Sequence, residues 1–299
     1  MNSMISIVSV LALSAMFACQ TTSQKETRAN PYTEELKEYW FSGEAELTSY
    51  ELKQARYGEI REGKSVLIFV TEDFSSKTMT KADNPTKDNF PILKLNNTRK
   101  FNTGIYPYSM MTSTFFPFPD GENSIKVSTS SQEWCGHTYL ELIDKGDFEI
   151  QNHSYFQSEA KKKITLDKDI LEDDLWSRIR INPDDLPTGT HKVIPSFFFL
   201  RLSHNDIKAY SCDLNLHKKN DSLSTYQISY PELERNLKIT FESAFPFKIV
   251  AWEDTHYSGY GESRKKLTTS ATAIKTIRSQ YWSKNSNADV GLRGELGLE

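Results

Sequence analysis

Three side chains able to support nucleophilic chemistry crowd into one hexapeptide, Gln132-Glu133-Trp134-Cys135-Gly136-His137. A cysteine becomes reactive when a neighbouring base lowers its pKa, and His137 stands two residues away. Residues two apart share one face of a strand, so Glu133, Cys135 and His137 could converge there, whereas on a helix they could not. A plain strand accounts for the same residues without activity: a buried cysteine, a glycine at a bulge and a histidine where the strand meets solvent. That second account needs fewer coincidences, and Glu133, Cys135 and His137 carry only the alternative of a thiol-dependent enzyme.

Other chemistry is thinly represented. Trp252-Glu253-Asp254-Thr255-His256 offers two carboxylates and an imidazole, but neighbours in a strand point to opposite faces. The chain has no glycine-rich phosphate loop, no Gly-x-Ser-x-Gly elbow and no His-Glu-x-x-His pair. Its 6 histidines are scattered, and apart from Cys135/His137 none has zinc-ligand spacing, so neither a metal nor another cofactor is implied. The aromatic runs are a better functional clue. Tyr106, Tyr108, Met110, Met111, Phe115 and Phe116 lie beside prolines, where flat rings and adaptable thioethers suit an irregular apolar ligand. Ordinary core packing explains such runs too.

Composition narrows the class. With 36 basic and 40 acidic residues the net charge is -4, and no basic stripe argues for nucleic acid. Aromatics reach 12% and glycines number only 13, a balance that favours strands over disorder.

The N-terminus supplies an address. Ile5 to Ala18 is an uncharged apolar run that ends directly before Cys19. It is shorter than the roughly 20 residues a membrane-spanning helix needs, and it suits the apolar region of a signal peptide. Met16-Phe17-Ala18-Cys19 resembles the lipobox of bacterial lipoproteins, whose cysteine receives a diacylglycerol before cleavage. Met and Phe replace the commoner Leu-Ala or Leu-Ser, and Met1-Asn2-Ser3-Met4 lacks the usual basic residue. A plain secretory peptide cut near Ala18 is the alternative. The resemblance implies residues 1–18 as signal, lipidation at Cys19, and 19–32 as a polar tether. Gln20 in place of an inner-membrane Asp, with no early acidic cluster, points to a periplasm-facing outer-membrane protein attached to the membrane by its acyl chains.

Lipidation would consume one of the 3 cysteines and leave Cys135 and Cys212 as a candidate disulfide. It would close a loop of about 77 residues and contribute roughly 4–5 kcal/mol in the chain-entropy model. Two separately buried thiols are the other option.

The elements that must position these residues are mostly strands. Thr33 to Trp40 reads as a short capped helix. Alternation then predicts strands at 65–74, 90–101, 106–116, 124–135, 138–143 and 148–158, with turns at Gly121-Glu122-Asn123 and Lys145-Gly146-Asp147. Asp169 to Ile181 has helical spacing and stops before Pro183. Strands resume at 196–202, 207–217, 224–229 and 237–241, and 247–281 reads as a long hairpin. Residues 284–299 look like a frayed tail. The expected fold is a mainly β domain over 33–283: a large curved antiparallel sheet, or open half-barrel, with a short N-terminal helix and one mid-chain helical insertion.

That pattern, with the closing unit Phe245-Pro246-Phe247-Lys248-Ile249-Val250-Ala251-Trp252, resembles the half-barrels of the LolA/LolB envelope carriers. Outer-membrane lipoproteins of this look sometimes carry a septum-inhibitor (Maf) label. The Ser-Arg-Arg-type phosphate motif of the pyrophosphatases of that name is absent, and their activity is not carried over. The resemblance implies a non-enzymatic lipoprotein that cups a lipid or other hydrophobic ligand. The alternatives are an assembly lipoprotein that binds an envelope protein, and the thiol enzyme above. Replacing Cys19 with Ser is expected to release the protein from the membrane and abolish incorporation of a palmitate analogue. Label persisting in the variant would refute the anchor.

Overall fold

Alternating polar and apolar residues, rich in β-branched and aromatic side chains, favour extended backbone through most of the chain. The computed structural model describes residues 33–84, 86–160 and 162–298. The signal 1–18, the tether 19–32 and the lipidation site Cys19 lie outside the described residues. Pro31–Glu299 is one compact unit, and the described core clusters lie within it, so it holds what it needs to fold.

In chain order the strands are β1 (Ala45–Arg56), β2 (Glu59–Ser75), β3 (Thr80–Lys81), β4 (Asn89–Thr103), β5 (Tyr106–Pro117), β6 (Lys126–Glu133), β7 (Gly136–Asp144) and β8 (Phe148–Ser154). There follow β9 (Lys162–Leu166), β10 (Ile170–Leu171), β11 (Gly189–Ile194), β12 (Tyr210–Lys218), β13 (Leu223–Tyr230), β14 (Arg235–Glu242), β15 (Ile249–Ser258) and β16 (Lys265–Ser279). The helices are α1 (Glu34–Trp40), α2 (Glu172–Ile181), α3 (Phe197–Ser203) and α4 (Leu292–Glu295).

All these strands form one curved, unclosed sheet. Its order runs from β10 through β16 and then from β1 through β9, with β3 hanging on β2. The last strand therefore pairs with the first, antiparallel, from Ala45 opposite Ser279 to Lys53 opposite Ser270, with a bulge between Ser49 and Tyr50. The free edges are β9 and β10. A sheet this wide must coil as its strands twist, which produces the concave face. The expected half-barrel is present, and one detail differs: β10 and β11 are parallel, because α2 crosses between them, so the sheet is mixed.

Two further expectations are corrected. The segment 196–202, read as a strand, instead supplies the cap Ser196 and most of the helix α3 (Phe197–Ser203). A short apolar run has no period to separate the two, and local hydrogen bonds decide it here. The Ser196 hydroxyl accepts from the Phe198 N–H at 3.3 Å, the Asp173 carboxylate accepts from the Phe197 N–H at 3.1 Å, and His204 closes the helix in the left-handed region at φ 59. The tail does not fray. It forms α4, and buried Leu296 covers Ala45, Leu47 and Val70, an apolar patch that strand alternation places on the face opposite inward-facing Tyr50.

Helix α2 fills the concavity. Leu175, Trp176 and Ile179 join the main core. Four of its charged residues, Glu172, Asp173, Asp174 and Arg180, are buried as well. At the first turn Glu172 accepts from Arg235 Nη1 at 2.6 Å, Arg235 Nη2 at 2.7 Å and the Tyr230 hydroxyl at 2.7 Å. Arg235 also donates to both Asp254 oxygens, at 2.8 and 2.9 Å. At the last turn Arg180 donates to Glu46 of β1 at 2.5 and 2.7 Å and to the Pro246 carbonyl at 2.8 Å. Acid at the N-terminus and base at the C-terminus also suit the helix dipole.

Breaking one partner of such a pair strands a buried charge. Arg180→Met is expected to cost about 3–5 kcal/mol in chemical denaturation. The double variant Glu46→Leu/Arg180→Met should recover most of that loss. A double variant no more stable than the single would show that the pair does not act as a unit.

Candidate ligand-binding cleft

The aromatic and methionine run divides between the two faces of β5. Tyr108, Met110 and Phe116 point inward and are core, with the Tyr108 ring stacked on Phe101 at 4.9 Å. Met111 points outward and is exposed, while Tyr106 and Phe115 are half-buried. None of the six lines the cleft described below. The inward set packs against other core side chains.

The Glu133, Cys135, His137 constellation is also taken apart. Trp134 and Cys135 form the turn between β6 and β7, so the strand periodicity that would align them is interrupted. Glu133 is turned inward and accepts from the Cys135 N–H at 2.6 Å, whereas His137 is exposed on the outer face. The hydrogen bond to Glu133 pushes the Cys135 thiol up, away from the reactive thiolate. Cys212, inward on β12, is pushed by burial to about 12. Both are free thiols, Cys135 exposed and Cys212 buried, so the candidate disulfide is not formed. In the second cluster Asp254 belongs to the buried ion network and Glu253 faces solvent.

A different site comes into view where the sheet fails to close. Between the inner face of β6–β9 and helix α3 lies an open cleft of about 570 Å³. Leu140, Ile164, Phe197, Leu200 and Ile207 give it an apolar floor, and Glu159, Lys162, Arg201, His204, Asp206 and Tyr260 surround them. The volume falls within the roughly 300–1,000 Å³ of small-molecule sites. Each wall is positioned by a local feature. Leu140 and Ile164 are set by strand alternation on β7 and β9. Phe197 and Leu200 are set by the capped start of α3, which is pinned to the sheet by Arg56 donating to the Leu202 carbonyl at 2.6 Å.

The polar rim is organised around Glu159, in a 3-10 turn between β8 and β9. Its carboxylate is hydrogen-bonded to His204 Nδ1, accepts from the Ser154 hydroxyl at 3.3 Å and lies 3.7 Å from Arg201 Nη1. The bond to His204 holds the Glu159 carboxyl below its ordinary value. That bond also supports a histidine at positive φ, a conformation uncommon outside glycine. Arg201 is nine-tenths buried against the Phe156 ring at 5.0 Å, and its Nε and Nη1 lack hydrogen-bond acceptors. An unsatisfied buried donor costs about 1–3 kcal/mol, which an arriving oxygen ligand would relieve.

Sequence reasoning missed Glu159, Arg201 and His204. Glu159 is far in the chain from the other two, and Arg201 belongs to the segment 196–202 read as a strand, with His204 just beyond it. The one local signal was Ser196 ahead of an apolar run, a helix cap. Among the described residues no group of three or more His, Cys, Asp or Glu is placed to hold a metal ion.

Comparison of the chain with protein-family models, with curated proteins and with solved structures finds no match.

The helical wall of the cleft depends on acids beneath it. Asp173, which holds the start of α3, is raised to about 6, and Asp174, which accepts from the Ser124 N–H at 2.7 Å, to about 7, both chiefly by burial. Acids whose folded pKa is raised contribute stability that is complete below their unfolded pKa of about 3.9 and is lost as pH climbs through the folded value. Asp174→Asn is expected to flatten the stability profile between about pH 4 and pH 7. Chemical denaturation on either side of that window measures it, and an unchanged slope would refute the assignment.

Proposed function

We propose that this protein is a non-enzymatic, lipid-anchored protein of the outer membrane that binds an amphiphile in the cleft between β6–β9 and α3. An acyl chain lies along Leu140, Ile164 and Leu200, and an anionic head, a carboxylate or phosphate, meets Arg201 and Lys162. The observation that carries the reading is the coexistence in one opening of an apolar floor and a buried guanidinium with unused donors. The lipobox-like leader supports the anchorage and the compartment. This reading assigns the ligand to the open seam of the sheet in preference to the Tyr106–Phe116 run, whose inward side chains are core.

Titration with a solvatochromic fatty acid and its methyl ester tests the proposal. Ile164→Asp is expected to weaken both by roughly tenfold or more, since a charge would interrupt the floor. Arg201→Met should weaken the acid by about tenfold to a hundredfold, the value of a charge-assisted hydrogen bond, and leave the ester nearly unchanged. Absence of binding by the unaltered domain, or equal loss for acid and ester in Arg201→Met, would refute the cleft or the head-group assignment respectively.

A further inference from the structure

The hairpin turns at the two ends of the sheet differ in chemistry. Because successive strands reverse direction, β4–β5, β6–β7, β8–β9 and β15–β16 all turn at one end, and β7–β8 and β12–β13 turn at the other. At the first end these four turns each project a large apolar or aromatic side chain: Ile105 is 83% exposed, Trp134 69%, Tyr155 76% and Tyr260 58%. The β1–β2 turn Tyr57-Gly58 and the β13–β14 turn Pro231-Glu232-Leu233-Glu234 share this end away from the first three, and the latter carries exposed Glu232 and Glu234. At the second end the corresponding turns are Lys145-Gly146-Asp147 and Lys219-Asn220-Asp221-Ser222, and the excursion between β2 and β4 carries Lys77, Asp83, Lys87 and Asp88.

The exposed side chains form a strip. The Tyr106 and Trp134 rings are 6.4 Å apart, linking the first two tips. Gly136 lies flat against Tyr155, where a Cβ would come within 2.7 Å of a ring carbon, linking the second to the third. Segments 102–107, 134–136 and 153–158 contain no Asp, Glu, Lys or Arg, and the only carboxylate beside the Trp134 turn, Glu133, is folded inward on the Cys135 N–H. Exposed Lys100, Lys162 and Lys163 flank the strip, and Arg264-Lys265-Lys266 flanks Tyr260, with Glu262 as the nearby acid. Tyr260 and His204, whose rings are 6.1 Å apart, also line the cleft, so its mouth opens at this end.

We propose that this end of the sheet docks on a phospholipid bilayer. Ile105, Trp134 and Tyr155 enter the interfacial region, and the flanking lysines meet anionic head groups. Tryptophan and tyrosine with one apolar and one polar side prefer that interface, and uncharged tips remove the main cost of entering it. Each nearby basic residue adds attraction to an anionic leaflet. A protein partner would equally bury aromatic tips. Three adjacent turns free of charge, flanked by exposed lysines, favour the bilayer. The inference goes beyond the cleft assignment, although it would set the cleft mouth at the lipid surface.

The test uses Pro31–Glu299 with vesicles of equal parts phosphatidylethanolamine and phosphatidylglycerol, with and without brominated acyl chains. The domain is expected to co-float with the vesicles, and bromine to quench Trp134 while sparing Trp282, the other exposed tryptophan. The triple variant Ile105→Ser/Trp134→Ser/Tyr155→Ser should partition roughly tenfold or more weakly, with its circular dichroism and its binding of the soluble fatty-acid probe unchanged. Should the triple variant fold poorly, Tyr155→Ser alone is expected to reduce partition about threefold and also to reduce quenching of Trp134. Ile164→Asp should lose the soluble probe and keep vesicle binding, which separates this surface from the cleft. A domain that stays in the aqueous fraction, quenching confined to Trp282, or undiminished binding by the variants would overturn the proposal and assign the strip to a protein partner.

Discussion

A helix with ionised residues at both ends lies inside a hydrophobic trough, and the rest of the structure depends on how those charges are met. Glu172 and Arg180 are each satisfied by groups from distant strands: Arg235, backed by Asp254, on one side, and Glu46 on the other. A sheet that does not close has no ring of hydrogen bonds to fix its curvature. The ion pairs supply that constraint by binding β14, β15 and β1 to one rod. Burying such charges is expensive, and the arrangement is tolerable because nearly every oxygen and nitrogen has a partner of good geometry. The same network attracts aromatic rings, with Arg235 4.0 Å from the centre of Phe199 and Arg180 4.8 Å from that of Phe69. Through Phe199 it reaches α3, and so the wall of the cleft.

The cleft exists because the order of the sheet is interrupted once. Along the rest of the sheet order a neighbouring strand continues the concave face. Between β9 and β10 the two ends of the sheet stay unpaired, α2 follows β10 into the concavity, and a smaller apolar cluster built on Val127, Leu142, Phe148 and Ile150 is covered by α3 instead. A short helix covers less of a curved surface than a strand pair would. The space left over collects the polar residues of the β8–β9 turn on one side and of the α3 C-terminus on the other.

Much of the architecture was legible in the sequence. Period-two alternation at 90–101 and 106–116 located β4 and β5, and the run from Asp169 gave α2 its end before Pro183. What alternation cannot carry is which way an unpatterned apolar segment will go. Ser196-Phe197-Phe198-Phe199-Leu200 became a helix because Asp173 and Ser196 satisfy its first amide groups. The same limit hid the cleft, whose polar residues meet only through β8, β9 and α3. Spacing did bring Cys135 close to His137, but two-residue periodicity holds only while the strand continues, and here it gives way to a turn at Trp134.

The pairing of β16 with β1 has a consequence for the order in which the molecule can be assembled. Both neighbours of β1 are needed to complete the centre of the sheet, yet one is synthesised almost at once and the other nearly last. Strands β1 to β9 can zip together from nearest neighbours as they emerge, and β11 to β16 can do the same. The two halves then join across the longest loop closure the chain offers, a non-local step of the kind that slows folding. Until it happens, β1 presents an open row of amides and carbonyls, an invitation to the wrong partner. A ribosome pausing within the last third of the chain would therefore hold half a trough with a sticky rim, and a chaperone that recognises extended edges would find its target there.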